Sequence, residues 1–97
     1  MRSVMGEDFG SLVRRFETSA FEQIRELHAA VERVDSDCVR QLAHKLRSAA
    51  VSLGARALAN ASADLEEEAR TGELSGASGL LQRIESELAI ARAVLTN

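Results

Sequence analysis

Proline, tryptophan and tyrosine are all absent, and three phenylalanines are the only aromatic residues in the 97-residue chain. Sheets draw on β-branched and aromatic side chains, whereas this sequence is rich in Ala, Leu, Glu and Arg, so helix is expected throughout. One cysteine, Cys38, excludes an intrachain disulfide. No run of roughly 18 apolar residues occurs and no charged-then-apolar leader is present, which leaves membrane insertion and secretion unsupported and makes the cytoplasm the expected location. The formal net charge of -3 and pI near 5.4 argue against nucleic acid as a bulk electrostatic partner. The length suits a single domain spanning 1–97, too small for a catalytic domain with a separate substrate domain.

Four amphipathic segments occupy that length. Phe9, Leu12, Val13, Phe16, Ala20, Ile24, Leu27, Val31 and Val34 keep helical phase, giving either one long helix or two in-line segments divided near Thr18, where Ser19 and Glu22 have capping-box spacing. Asp35 and Ser36 supply cap residues for the next helix, and Asp37 places a negative charge in its first turn. Gly54 closes that segment and permits a left-handed junction. A third helix runs from about Arg56 to Arg70 with Leu58, Ala61, Leu65 and Ala69 inward and Gly72 as its stop. Thr71 to Ser78 reads as a loop. Ala77, Leu81, Ile84, Leu88, Ala91 and Leu95 form the inward stripe of the last helix. Short connections make sequential helices neighbours, so the expected fold is all-α, an antiparallel up-down four-helix bundle. The small residues Ala43, Ala49, Ala50, Ala61 and Ala69 call for close helix approach at its middle.

One residue of the second helix stands apart. Val39, Leu42, Ala43, Leu46, Ala49, Ala50 and Leu53 share a face, and at about 100° per residue His44 falls roughly opposite its centre. Arg40, Gln41, Arg47, Ser48 and Val51 lie on the same side within two turns. Between Asp37 and Arg56 the chain holds Arg40, Lys45, Arg47 and Arg56 against the single acid Asp37, so a basic surface is expected around His44 on an acidic protein. An exposed imidazole among guanidinium groups suits a nucleophile that takes up an anion. His28, at the edge of the stripe with Phe21, Ile24 and Val31, reads instead as a boundary packing residue, and Cys38 as a small buried hydrophobe. Glu66, Glu67 and Glu68 point in different directions on a helix, neither histidine has a Glu-x-x-His partner, and no zinc spacing exists, so no metal site is expected.

The run Ala43-His44-Lys45-Leu46-Arg47-Ser48-Ala49-Ala50-Val51-Ser52-Leu53-Gly54-Ala55 resembles the signature of histidine-containing phosphotransfer domains, the intermediates of multistep phosphorelays. That family reads roughly A-H-x-L-K-G-x-x-x-x-L-G, and the leucine- and acid-rich segment from Leu58 to Arg70 continues the resemblance. It implies His44 as the phosphoryl acceptor, Leu46 as an inward packing residue, and Arg47 where the family has a phosphate-contacting lysine. Lys45 and Arg40 would add positive charge. Gly54 matches the family glycine, with Arg56 close behind it. Gln41, Ser48 and Val51 complete the surface that would meet a partner. Arg for Lys keeps the charge. Ser48 for Gly either narrows a partner's access or adds a hydrogen bond to the phosphoryl oxygens, and serine is small enough that access is expected to survive.

The implied chemistry is reversible phosphoryl transfer between His44 and an aspartate of a receiver domain. The expected partners are the receiver domains of a hybrid sensor kinase and of a response regulator. The chain itself would be a monomeric phosphocarrier with no cofactor and no ATP site, the Mg2+ belonging to the receiver. Two other readings compete: a helical adaptor or inhibitor that docks through the same face without carrying phosphate, and a homo-oligomeric bundle paired through the Phe9 to Val34 stripe.

Overall fold

The computed structural model describes residues 2–96, with side chains described for 10–94. Four helices follow one another, α1 (Arg2–Glu32), α2 (Ser36–Ser52), α3 (Arg56–Arg70) and α4 (Ala77–Thr96), and no strand occurs among the described residues. Each helix packs on its sequence neighbours and α1 closes the ring on α4, leaving α2 and α4 on a diagonal. The α2–α3 pair is the most extensive contact, and α1, at about 1.5 Å per residue, sets the 48 Å long axis of a body 18 × 17 Å across. Of the two forms open for the first segment, the chain takes the single continuous helix: no turn interrupts it at Thr18.

The apolar stripes meet in one core. Val13, Phe16, Ala20, Ile24, Leu27 and Ala30 of α1 face Val39, Leu42, Ala43, Leu46 and Ala50 of α2. Leu58, Ala59, Ala61, Leu65 and Ala69 of α3 and Ala77, Leu81, Ile84 and Leu88 of α4 complete it. Leu46 and Leu65 are wholly buried, and truncating such a leucine to alanine costs about 3 kcal/mol through lost burial and a residual cavity. The middle is narrow because Ala43, Ala50 and Ala61 are also wholly buried, beside Ser62, whose hydroxyl donates to the Leu58 carbonyl at 2.9 Å. Cys38 is half-buried against this core, as its position on α2 predicts. Ala49 and Ala91 are half-buried; Phe9 and Leu95 lie outside the described side chains.

Three positions depart from the expected stripes. Leu12 is half-exposed at the flank of the α1 face. His28 does not pack at a boundary. It stands exposed and reaches across to α4, its Nε2 lying 2.7 Å from Glu85 Oε2. Val34 is outside the helix, 71% exposed with φ 56°. The cause is the corner itself. Val34 N–H donates to the Val31 carbonyl and Asp35 N–H to Ala30, a Schellman closure that needs a left-handed residue at Val34. Asp35 can then cap α2, its Oδ1 accepting from Cys38 N–H at 3.2 Å. The α2–α3 corner repeats the pattern with the residue that suits it: Gly54, at φ 76°, donates to Val51 while Ala55 donates to Ala50. A β-branched side chain at Val34 makes the first corner dearer than the second by about 1–2 kcal/mol.

After α3, Thr71 and then Gly72 (φ 86°) end the helix as expected. The loop is shorter than the sequence suggests, since α4 begins at Ala77 and takes in Ser78. Glu68 sets that start, its Oε2 accepting from Gly76 N–H at 2.7 Å, where the negative charge meets the helix N-terminus.

Candidate functional site

His44 sits on the middle of α2 with its side chain 54% exposed, off the core face as its helical phase requires. Its neighbour across the helix pair is Glu66 of α3, only 21% exposed, whose Oε2 lies 3.0 Å from His44 Nδ1. The other oxygen of the same carboxylate accepts from Arg47 Nε at 2.9 Å. Arg47 Nη2 lies 3.1 Å from His44 Nδ1, so acid, base and guanidinium form one closed triangle.

The triangle fixes the imidazole. One ring nitrogen cannot both donate to a carboxylate and accept from a guanidinium, and a carboxylate can only accept. A guanidinium can only donate, so the two contacts correspond to two tautomers: donating to Glu66, the ring carries its proton on Nδ1 and Arg47 holds Glu66 through Nε; accepting from Arg47 Nη2, it carries the proton on Nε2. In the first of these forms the neutral ring has its lone pair on Nε2, and Nε2 has no hydrogen-bond partner among the described residues. A carboxylate behind the ring also stabilises the positive charge that builds on it when Nε2 attacks an electrophile. The arrangement holds an exposed imidazole at Nδ1, with a guanidinium beside it.

A family model, that of the Hpt domain, matches residues 11–94. The chain belongs to the histidine-containing phosphotransfer (Hpt) domain family. The crystal structure of histidine-containing phosphotransfer protein B (HptB) from Pseudomonas aeruginosa PAO1 is similar over 98% of this chain and 83% of that one, with 35% sequence identity and a TM-score of 0.90. A search of curated proteins gave no match. Hpt proteins are phosphocarriers rather than kinases, and the four-helix architecture expected from the sequence is the one this chain shares with HptB.

In the Hpt frame the residues singled out in the sequence divide into three groups. Arg47 touches His44 directly. Val51, Gly54 and Arg56 come together with Ala59 and Asn60 around a shallow depression of about 260 Å³ between α2 and α3, with Val51 62% exposed. Gln41, Ser48 and Lys45 are exposed along α2 and Arg40 is half-buried, and none of the four makes a hydrogen bond or ion pair among the described residues. On the other flank of α2 a groove of about 210 Å³ runs against α1, lined by Leu12, Phe16, Gln23, Ala49 and Leu53 with Arg15 among them. The Oε1 atom of Gln23 is buried without a hydrogen-bond partner.

Glu66 is the residue the sequence reading missed. The surface around His44 is not simply basic, because α3 brings a carboxylate into its centre. The signal was available in the register: an antiparallel hairpin turning at Ala55 pairs residues equidistant from it, and His44 and Glu66, 22 residues apart, are such a pair. The three consecutive glutamates do diverge, as helical spacing demands. Glu66 holds His44 and Arg47, Glu68 holds Gly76, and Glu67 turns outward to Arg70, which donates to it through Nε at 3.2 Å and Nη2 at 2.6 Å. That Arg70 contact keeps the Glu67 carboxyl below its ordinary range and raises the Arg70 guanidinium in turn. Among the described residues no group of three or more His, Cys, Asp or Glu side chains is placed to hold a metal ion, and no helix is long and apolar enough to cross a membrane.

Proposed function

We propose that this protein is a phosphorelay intermediate in which His44 Nε2 accepts a phosphoryl group from the aspartyl phosphate of a receiver domain and returns it to the aspartate of a receiver. The observation that carries the reading is an exposed imidazole engaged at Nδ1 by Glu66 and without a partner at Nε2 among the described residues, and the reading takes the tautomer that donates to Glu66, with the lone pair on Nε2. In the transfer, that lone pair attacks phosphorus, the P–O bond of the acyl phosphate breaks, and the aspartate carboxylate is released. Nδ1 keeps its proton throughout, so no base has to remove one. Charge on the phosphoryl oxygens is met by Arg47, with Lys45 and Arg40 adding positive potential nearby.

The chain carries no ATP-dependent step in this scheme, and Mg2+ is supplied by the receiver. The α1–α2 groove and the depression at Val51, Gly54 and Arg56 flank His44's helix and give a receiver apolar surface on both sides of the transferring group. The partners are the receivers of a hybrid sensor kinase and of a response regulator. The protein works as a cytoplasmic, monomeric single domain, since docking needs His44 accessible and the core is complete within one chain.

The test mixes the purified protein with phosphorylated receiver domains and follows label into an acid-labile, base-stable adduct. Label on the wild type and none on His44→Gln is the expected result. Tight receiver binding with no label on the wild type would replace the relay by a docking adaptor.

A further inference from the structure

Ser48 is one turn beyond His44 on the same exposed side of α2, at the position where the family signature has glycine. Its hydroxyl is uncommitted. A serine inside a helix can bond back to the carbonyl four residues earlier, as the buried Ser62 does with Leu58 at 2.9 Å. Ser48 makes no such bond, nor any other among the described residues.

The geometry of the site gives that hydroxyl an acceptor. Seen down α2, Arg47 lies about 60° from His44 toward α3, and Ser48 about 40° to the other side. The ring is anchored at Nδ1 on the α3 side by Glu66, with Arg47 beside it. Side chains on a helix lean toward its N-terminus, so Ser48 leans over the turn that carries His44. A phosphoryl group on Nε2 thus stands between a guanidinium on one flank and a free hydroxyl on the other.

We infer that Ser48 donates a hydrogen bond to the phosphoryl group on His44, a ligand present only in the phosphorylated state, and so shifts the transfer equilibrium toward phosphohistidine. The inference rests on the proposed role of His44. A bond made in one state and not the other changes an equilibrium constant, whereas a side chain that merely obstructs docking slows forward and reverse transfer alike. This separates the two effects serine can have at this position.

The experiment uses one isolated receiver domain, phosphorylated with acetyl phosphate and magnesium and then freed of donor. Forward and reverse transfer rates are measured for the wild type and for Ser48→Ala, Ser48→Gly and Ser48→Thr; their ratio is the equilibrium constant. Ser48→Ala and Ser48→Gly should each move it about five-fold toward aspartyl phosphate, the worth of one hydrogen bond, and Ser48→Thr should restore the wild-type value. Phosphorus NMR of the charged proteins should place the last ionisation of the phosphoryl group lower in the wild type than in Ser48→Ala, because a donor favours the dianion. Faster transfer in both directions with an unchanged ratio would overturn the inference and leave Ser48 as an obstacle alone. A wild type that takes no label at all would instead overturn the role of His44, and this inference with it.

Discussion

Two histidines in this chain meet a glutamate across a helix pair, and their side chains are equally exposed, at 54%. His28 on α1 uses Nε2 to meet Glu85 of α4; His44 on α2 uses Nδ1 to meet Glu66 of α3. Exposure and a nearby acid therefore do not distinguish a reactive imidazole from a surface clasp. The two rings differ in the nitrogen they engage. At His28 Nε2 is engaged by Glu85, while at His44 the contact is at Nδ1 and Nε2 has no hydrogen-bond partner among the described residues. The acids differ too: Glu85 is 45% exposed and Glu66 only 21%, the latter also held by Arg47. A shielded carboxylate fixed by a second cation orients a ring far better than a solvated one.

The comparison is broken most directly by exchanging the two rings for amides. His44→Gln should abolish phosphoryl uptake with the bundle intact, since the side chain is off the core, while His28→Gln should label like the wild type and shift stability by less than about 0.5 kcal/mol. Labelling of His44→Gln at the wild-type level would remove the distinction altogether. Glu66→Ala should slow transfer about thirty-fold, corresponding to a hydrogen bond to a charged group of about 2 kcal/mol, with Glu66→Gln less affected because its amide oxygen still accepts from Nδ1. Glu85→Ala should leave the rate unchanged; equal losses at the two glutamates would mean that both act through the fold.

Arg47→Ala should slow transfer about ten-fold and Arg40→Ala less than two-fold, because only Arg47 reaches the triangle. Equal effects, both erased by salt, would make these charges a steering field instead. The smallest effect belongs to Glu67 and Arg70, a bridge within one helix and open to water. Arg70 holds the folded carboxyl below its ordinary range, so the contribution is present above that range and disappears as pH falls through the lowered value. Glu67→Gln should flatten the acid end of a stability-against-pH curve slightly and leave phosphoryl transfer untouched, a contrast checked by chemical denaturation at stepped pH.

The fold was legible because three- and four-residue spacing is a local signal, and the four stripes met as the pattern required. Val34 was not, because an apolar residue in phase looks like a continuation of the helix; only the need for Asp35 to cap α2 forces the chain to turn there. His44, Arg47 and the Gly54 junction could be read from one continuous run of residues. Glu66 belongs to a different helix, and its part in the site exists only once α2 and α3 lie side by side. His28 was misjudged for the same reason, since its partner Glu85 is 57 residues away.

The short α2–α3 corner acts as a ruler. His44 and Glu66 stand at equal distances from Ala55, so one residue inserted or deleted between either of them and the corner swings its side chain by about 100° and carries it off the shared face. The connector at 71–76 sets the pairing of Asp64 with Arg83 and takes no part in the His44 triangle. A change of length between His44 and Glu66 should therefore undo the triangle while one after Arg70 should spare it, and the 23 residues from His44 to Glu66 are the piece to move together when this triangle is grafted onto another helical hairpin.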